Sequence, residues 1–241
     1  MTLRPNSNNK GFLNLSFLNM LFVTIMLGTY LLAYKMILVG TYTLSAGILI
    51  FPLNYAITDI TTEVYGYEQT KKLIKNAFIC CFLFATVVPF IAILPAPEGW
   101  PHQAGYQYVL GNVFRFFVAN SLGIIIGITL NSYLIAKWKR MMNGKHFWLR
   151  SIASTAIGEL ITSIIADIIA FYGTTSSWGI INLMIGIYAV KLFYSVILSL
   201  PNSLIVTHLK LKEGINLEED RFKINPFINK KMQRENHAYS P

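Results

Sequence analysis

The chain has 241 residues, 54% of them hydrophobic and 14% aromatic, only 13% are charged, and the mean hydropathy is +0.50. A soluble domain carries about twice that charged fraction, so an ordinary soluble globular protein is excluded and an integral membrane protein is expected. The formal net charge of +9 could suggest nucleic acid, but its placement along the chain is that of a membrane topology signal, and no nucleic-acid partner is expected.

Crossing the hydrocarbon core takes about 20 mainly apolar residues. Six stretches qualify: 16–34, 37–57, 74–94, 113–136, 151–172 and 181–207. Their apolar runs are continuous rather than alternating, so strands are not expected, and the fold class is an all-α polytopic membrane protein with six transmembrane helices. Residues 1–15 read as a mobile polar N-terminus, 16–210 as one six-helix transmembrane domain, and 211–241 as a polar tail. The first span is too long for a signal-peptide core and no small-x-small site follows it, so it should remain uncleaved. Seventeen of the twenty Lys and Arg (Arg4, Lys10, Lys71, Lys72, Lys75, Lys137, Lys139, Arg140, Lys145, Arg150 and seven in the tail) fall on one side of this scheme. The positive-inside rule then puts both termini in the cytoplasm, with Lys35, Arg115 and Lys191 as the exceptions.

In span two, Pro52 is expected to interrupt the helix, after which Asn54, Thr58, Thr61 and Tyr65 share a face and Asp59 points elsewhere. Polar residues after such a break are one way to build a transporter site. Residues 59–67 then close the span with two acids, two threonines and two tyrosines where lysines would be ordinary. The plain reading is a hydrophilic helix exit with tyrosines in the headgroup belt; the functional reading is that acids near a bilayer are costly and persist for a reason. Cys80 and Cys81 are adjacent in span three, where neighbouring side chains diverge and no disulfide is expected. The Pro- and Gly-rich segment 95–111, with Trp100, Tyr106 and Tyr108, suits an interfacial loop or short surface helix.

Span four places Asn120, Gly123, Gly127 and Asn131 on one face, where small residues allow close helix approach and would permit a homodimer. Arg115 lies near its external end, where it can snorkel or gate access. In span five, Thr155, Glu159, Thr162 and Ser163 form one stripe, with Asp167 at its edge. A single acid could be the structural partner of a base, but acid, hydroxyls and small residues together suggest a lined cavity. Span six answers with Lys191, Tyr194, Ser195, Leu198 and Asn202 in a row, and Lys191, too deep to snorkel easily, should pair with Glu159 or Asp167 or meet a ligand. Pro201 frees a backbone carbonyl beside Asn202. The four histidines lack ligand spacing and there is no nucleotide-binding loop, so neither a metal nor a cofactor is expected. Carboxylates that accept a parallel pair of N–H groups, asparagines that donate and accept, and stacking rings suit a guanine-like base; amino acids or amines would also be compatible.

Phe51-Pro52-Leu53-Asn54-Tyr55, then Asp59-Ile60-Thr61-Thr62-Glu63-Val64-Tyr65-Gly66-Tyr67, then Lys71-Lys72, closely resemble the bacterial queuosine precursor transporter family. The agreement continues through Glu159 to Asp167 and through Lys191 to Pro201-Asn202, covering roughly residues 16–210. The resemblance implies a multi-pass inner-membrane importer, not an enzyme, of 7-cyano-7-deazaguanine or 7-aminomethyl-7-deazaguanine for tRNA queuosine modification. It also implies a six-helix arrangement similar to the substrate-binding subunits of energy-coupling-factor transporters, working without their ATPase module. Membrane lipid and a small deazaguanine are then the expected partners. The expected substrate-binding residues are Glu159, Asp167, Lys191, Asn54, Thr58, Asn120, Thr162, Tyr194 and Asn202, with Asp59, Glu63, Tyr65 and Arg115 as gate or motif positions. Two other readings are a substrate-binding subunit energised by a separate ATPase and an intramembrane enzyme using Asp59, Glu63, Glu159 or Asp167 as acid and base. Against the enzyme, no nucleophile–base pair or metal constellation is visible.

Overall fold

The computed structural model describes residues 13–39, 42–171 and 177–213, with side chains in all of these except 13, 39, 42, 43, 119, 166–171 and 177–183. The described chain is a helical bundle of α1 (Leu13–Leu32), α2 (Pro52–Tyr65), α3 (Tyr67–Ala92), α4 (Gln103–Leu110), α5 (Val113–Met141), α6 (Phe147–Phe171) and α7 (Ser177–Glu213). Among the described residues, four helical stretches are long and apolar enough to cross a membrane: Asn14–Leu32, Tyr67–Ala92, Asn120–Met141 and Met184–Glu213. With exposed Phe82, Leu83, Phe90, Phe193, Leu200 and Leu204 on their outer faces, this is a multi-pass membrane protein.

The expected second span does not form as one helix. After α1 the chain makes an antiparallel hairpin, β1 (Met36–Val39) and β2 (Tyr42–Ser45), with Met36 opposite Ser45 and Val39 opposite Tyr42. A 3-10 turn over Ala46–Leu49 follows before α2 begins. This corrects the helix expected over 37–57 and the strand-free reading. The β-branched and aromatic residues of 36–45, divided by Gly40, favour a hairpin, and apolar content alone cannot separate that from a helix. Ser45 fixes the junction: its hydroxyl donates to the Ala33 carbonyl at 2.8 Å and accepts from the Gly47 N–H at 3.3 Å. Pro52, expected to interrupt a helix, instead begins one, where its fixed φ fits and its missing N–H costs nothing.

Thirteen of the fourteen residues of α2 are buried, so it is the central element, packed against α1, α3, α5 and α7. A helix buried on every side must satisfy its polar groups locally. Thr58, Thr61 and Thr62 do so by donating to the carbonyls of Tyr55, Ile57 and Thr58 at 2.9, 2.8 and 2.6 Å. A single residue, Gly66, joins α2 to α3; its φ of 86° lies in the region that side chains disfavour, and the Thr62 and Thr70 hydroxyls bridge the joint at 2.9 Å. α3 therefore starts at Tyr67 rather than near 74, and Lys71, Lys72 and Lys75 stand exposed on its first turns instead of in a loop. Segment 95–111 contains the surface helix α4, none of whose residues is buried.

α5 and α6 cross at glycines. A Cβ on Gly127 would lie 2.6 Å from the Gly158 carbonyl, and one on Gly158 would lie 2.7 Å from the Gly127 carbonyl. Close approach through small residues is how helices gain packing in lipid, where apolar burial alone gives little. The glycine face expected to allow a homodimer is thus filled within the chain.

Candidate functional site

Glu159 lies halfway along α6, about 18 Å from either end at 1.5 Å per residue. Its Oε2 meets Lys191 Nζ of α7 at 2.9 Å, with both residues buried, and Lys191 also donates to the Ser163 hydroxyl at 3.3 Å. The Lys191 ammonium sits 5.1 Å from the centre of the Phe51 ring, just ahead of α2, and Phe51 meets Tyr55 edge-to-face at 6.0 Å. Asn54, one turn past Phe51 on the same side of α2, is completely buried, and neither its Oδ1 nor its Nδ2 has a hydrogen-bond partner among the described residues. A buried primary amide with all its hydrogen-bonding capacity unused is costly and marks a place where a polar ligand can repay it.

The hairpin explains how α2 comes to begin here. Its fourteen residues span about 21 Å from the Gly66 end of the bundle, so its first turn reaches the depth of Glu159 and Lys191.

A second centre lies five residues past Asn54 along α2, about 7.5 Å closer to the Gly66 end. Asp59, expected to point away from the Asn54 face, is 1% exposed and enters a pocket of neutral donors. Asn131 Nδ2 of α5 reaches its Oδ1 at 2.5 Å; the hydroxyls of Ser151 and Thr155 of α6 reach Oδ2, the latter at 3.3 Å. The helical wheel separated Asp59 from Asn54 correctly, but α2 has partners on all sides, so a second face leads to a second site.

A third centre closes that end of the bundle. Glu63 takes cations from three helices: Arg150 of α6 at 2.9 Å, Lys210 of α7 at 2.6 Å and Lys139 of α5 at 4.0 Å, with Lys139 also donating to the Glu63 carbonyl at 3.1 Å. Arg150 is fully buried and also donates to the carbonyls of Lys145, Ile135 and Gly144, which locks the α5–α6 turn. Beside it, Tyr65 donates to Glu213 Oε1 at 2.7 Å and Asn14 donates to the same oxygen at 2.5 Å, tying α2, α7 and α1.

The other expected residues divide. Thr58 and Asn202 are buried and Tyr194 is half-buried. Thr162 is a packing residue: its hydroxyl bonds Tyr55 at 2.7 Å and the carbonyls of Gly158 and Gly123 at 2.9 and 3.1 Å. Asn120 bonds its own helix at Phe116, and Arg115 is exposed, so neither joins the Glu159 centre in this structure. The side chain of Asp167 lies outside the described residues. Sequence reasoning gave Arg150, Lys139 and Lys210 only a topological part and did not single out Ser151 or Tyr55; the signal available was that Glu63 and Asp59, acids near a bilayer, required buried partners. No group of three or more metal-ligating side chains occurs among the described residues. A cavity of about 20 Å³ among α1, α3 and α5, lined by Phe22, Met26, Ile74 and Cys81, is too small and apolar for a heterocycle.

The chain is similar in sequence to known transporters. The family model described as "Putative vitamin uptake transporter" matches residues 45–206, which run from the end of the hairpin to the last third of α7. The chain is 22% identical over 196 residues to the queuosine precursor transporter of Escherichia coli K12, covering 79% of this chain and 84% of that one. It is 24% identical over 160 residues to the probable queuosine precursor transporter of Bacillus subtilis 168, covering 66% and 69%. It is 24% identical over 172 residues to the protein of that same description in Haemophilus influenzae Rd, covering 69% and 70%. No solved structure matches the chain.

Proposed function

The chain belongs to the putative vitamin uptake transporter family, and from that premise we propose that it imports queuosine precursors, 7-cyano-7-deazaguanine or 7-aminomethyl-7-deazaguanine, across the bacterial cytoplasmic membrane. The observation that carries this reading is the buried Glu159–Lys191 pair at mid-depth beside Asn54, whose amide has no partner among the described residues. A deazaguanine offers two adjacent N–H groups next to a carbonyl. Glu159 accepts the N–H pair in parallel bonds, Lys191 and Asn54 donate to the carbonyl, and the rings of Phe51 and Tyr55 supply a stacking surface. Lys191 thus exchanges a carboxylate for a ligand carbonyl rather than being stripped bare, which keeps the loss of the ion pair affordable.

The end bearing Glu63, Lys139, Arg150 and Lys210 is the cytoplasmic end by the positive-inside rule. The Glu159 and Asp59 centres are buried behind the Glu63 cluster, so release to the cytoplasm requires α7 to part from α2 at Lys210–Glu63 and Glu213–Tyr65, in the manner of alternating access around a fixed central site. The test is restoration of tRNA queuosine in a precursor-auxotrophic host at low external precursor. The wild-type chain should restore it, and Glu159→Gln should abolish restoration at an unchanged level in the membrane. A wild-type chain correctly placed in the membrane that fails to restore queuosine overturns the reading; full activity in Glu159→Gln removes that residue from the site.

A further inference from the structure

Among the described residues, three carboxylates are buried on the inner faces of the bundle, and they differ in one respect. Glu159 meets Lys191, and Glu63 meets Arg150 and Lys210, whereas every hydrogen-bond partner of Asp59 is neutral: the Asn131 amide and the Ser151 and Thr155 hydroxyls. The cations around it are committed elsewhere, with Lys139, Arg150 and Lys210 on Glu63 one turn along α2, and Lys191 on Glu159. Of the other titratable groups nearby, the Tyr55 hydroxyl is bonded to Thr162. An ionised carboxylate at 1% exposure with neutral partners alone is poorly compensated. The partners are also oxygen-rich: two carboxylate oxygens, the Asn131 carbonyl oxygen 3.4 Å from the Thr155 hydroxyl, and two hydroxyls, contributed by three helices. Oxygen sets of this kind suit hard cations, and a single carboxylate matches a single positive charge. Next to Asn131 on α5, Ser132 is fully buried with a hydroxyl that has no partner among the described residues.

We propose that Asp59, Asn131, Ser151 and Thr155 form the site of one monovalent coupling cation, either a proton or a sodium ion. The proposal rests on the transporter reading above. Thr155 and Glu159 lie one turn apart on the same stripe of α6, so the cation and the substrate are held by adjacent turns of one helix. Loading the cation draws α2, α5 and α6 together and sets the α6 stripe that presents Glu159. Releasing it restores the uncompensated charge on Asp59 and loosens the same three-helix junction.

The test uses the purified full-length chain in detergent and needs no substrate. Thermal unfolding is followed with sodium chloride exchanged for choline chloride at fixed ionic strength, and separately across a pH series. The wild type should be stabilised by sodium or by acidification, and the arm that responds names the cation. Asp59→Asn should lose that response while being at least as stable as the wild type in its absence, which a merely structural aspartate would not allow. Ser151→Ala, which keeps the carboxylate, should shift the half-effective sodium or proton concentration by about tenfold. No response in either arm of the wild type, or an unchanged response in Asp59→Asn or, should that variant not fold, in Ser151→Ala, overturns the proposal. In proteoliposomes, wild-type 7-cyano-7-deazaguanine accumulation should follow the gradient of that cation, and Asp59→Asn should retain exchange without accumulation. Exchange by the wild type that ignores both gradients sinks the coupling site alone; a cation response without any deazaguanine movement sinks the substrate reading alone.

Discussion

Replacing Gly127 with alanine tests the crossing that positions the candidate site. The new Cβ would lie 1.9 Å from Thr162 Oγ1, 2.6 Å from the Gly158 carbonyl oxygen and 2.9 Å from the Tyr55 hydroxyl. Ordinary contact needs roughly 3.4 Å or more, so α5 and α6 must separate by about 1 Å at the crossing. Overpacking of this kind costs about 1–3 kcal/mol, and loosening the bonds of Thr162 to Tyr55 and the Gly123 carbonyl adds about 1 kcal/mol each. A total near 4 kcal/mol corresponds to a fall in Tm of about 10 °C for a chain of this size. Thermal unfolding in detergent reads the first effect. Uptake reads the second, because Glu159 directly follows Gly158 and is carried with it. The double variant Gly127→Ala/Thr162→Ala removes the shortest contact but leaves the backbone one at 2.6 Å, so it should recover only part of the loss. A fall in Tm below about 2 °C, or complete rescue by Thr162→Ala, would refute a backbone-to-backbone crossing as the constraint.

Two further perturbations address the Glu63 end of the bundle. Arg150→Met leaves Glu63 with Lys210 and Lys139 and takes a donor from two turn carbonyls, Gly144 and Lys145, and from Ile135 of α5, so it should destabilise by about 3–5 kcal/mol, and adding Glu63→Gln should recover part of that in thermal unfolding of the double variant. Gly66→Ala forces a side chain into φ 86°, ψ 162°, a region essentially confined to glycine, for a cost of about 1–3 kcal/mol visible as a lower Tm with uptake retained in the surviving fraction.

The long helices were legible because their apolar runs are continuous, and α1, α5, α6 and α7 fall where hydropathy puts them. Their ends were not: α5 continues to Met141 and α7 to Glu213, since a helix carrying Lys139, Arg140, Lys210 and Lys212 persists beyond the apolar stretch. That Lys191 meets an acid of the preceding span was readable from deep opposite charges on consecutive spans, but the choice of Glu159 over Asp167 was left open and comes from the fold. The Glu63 centre was not, because hydropathy treats Arg150 as one more basic loop residue, and only the fold turns its side chain beneath the α5–α6 turn. Residues 37–57 failed for a related reason, as a hairpin docked on a bundle and a membrane helix share an apolar composition.

The shortness and polarity of α2 constrain how the protein is made. A 14-residue helix carrying Asp59, Glu63 and three threonines is too short and too polar to partition into lipid alone, where each acid adds a cost of up to about 3 kcal/mol in translocon-mediated entry. Its stabilising partners leave the ribosome later: Asn131 follows Asp59 by 72 residues, and Lys210 follows Glu63 by 147. During synthesis α2 must therefore wait, sheltered by the translocon or lying at the interface, until α5, α6 and finally α7 have entered the bilayer and can receive it. The central helix of the finished protein can complete its polar contacts only after the last helix has emerged.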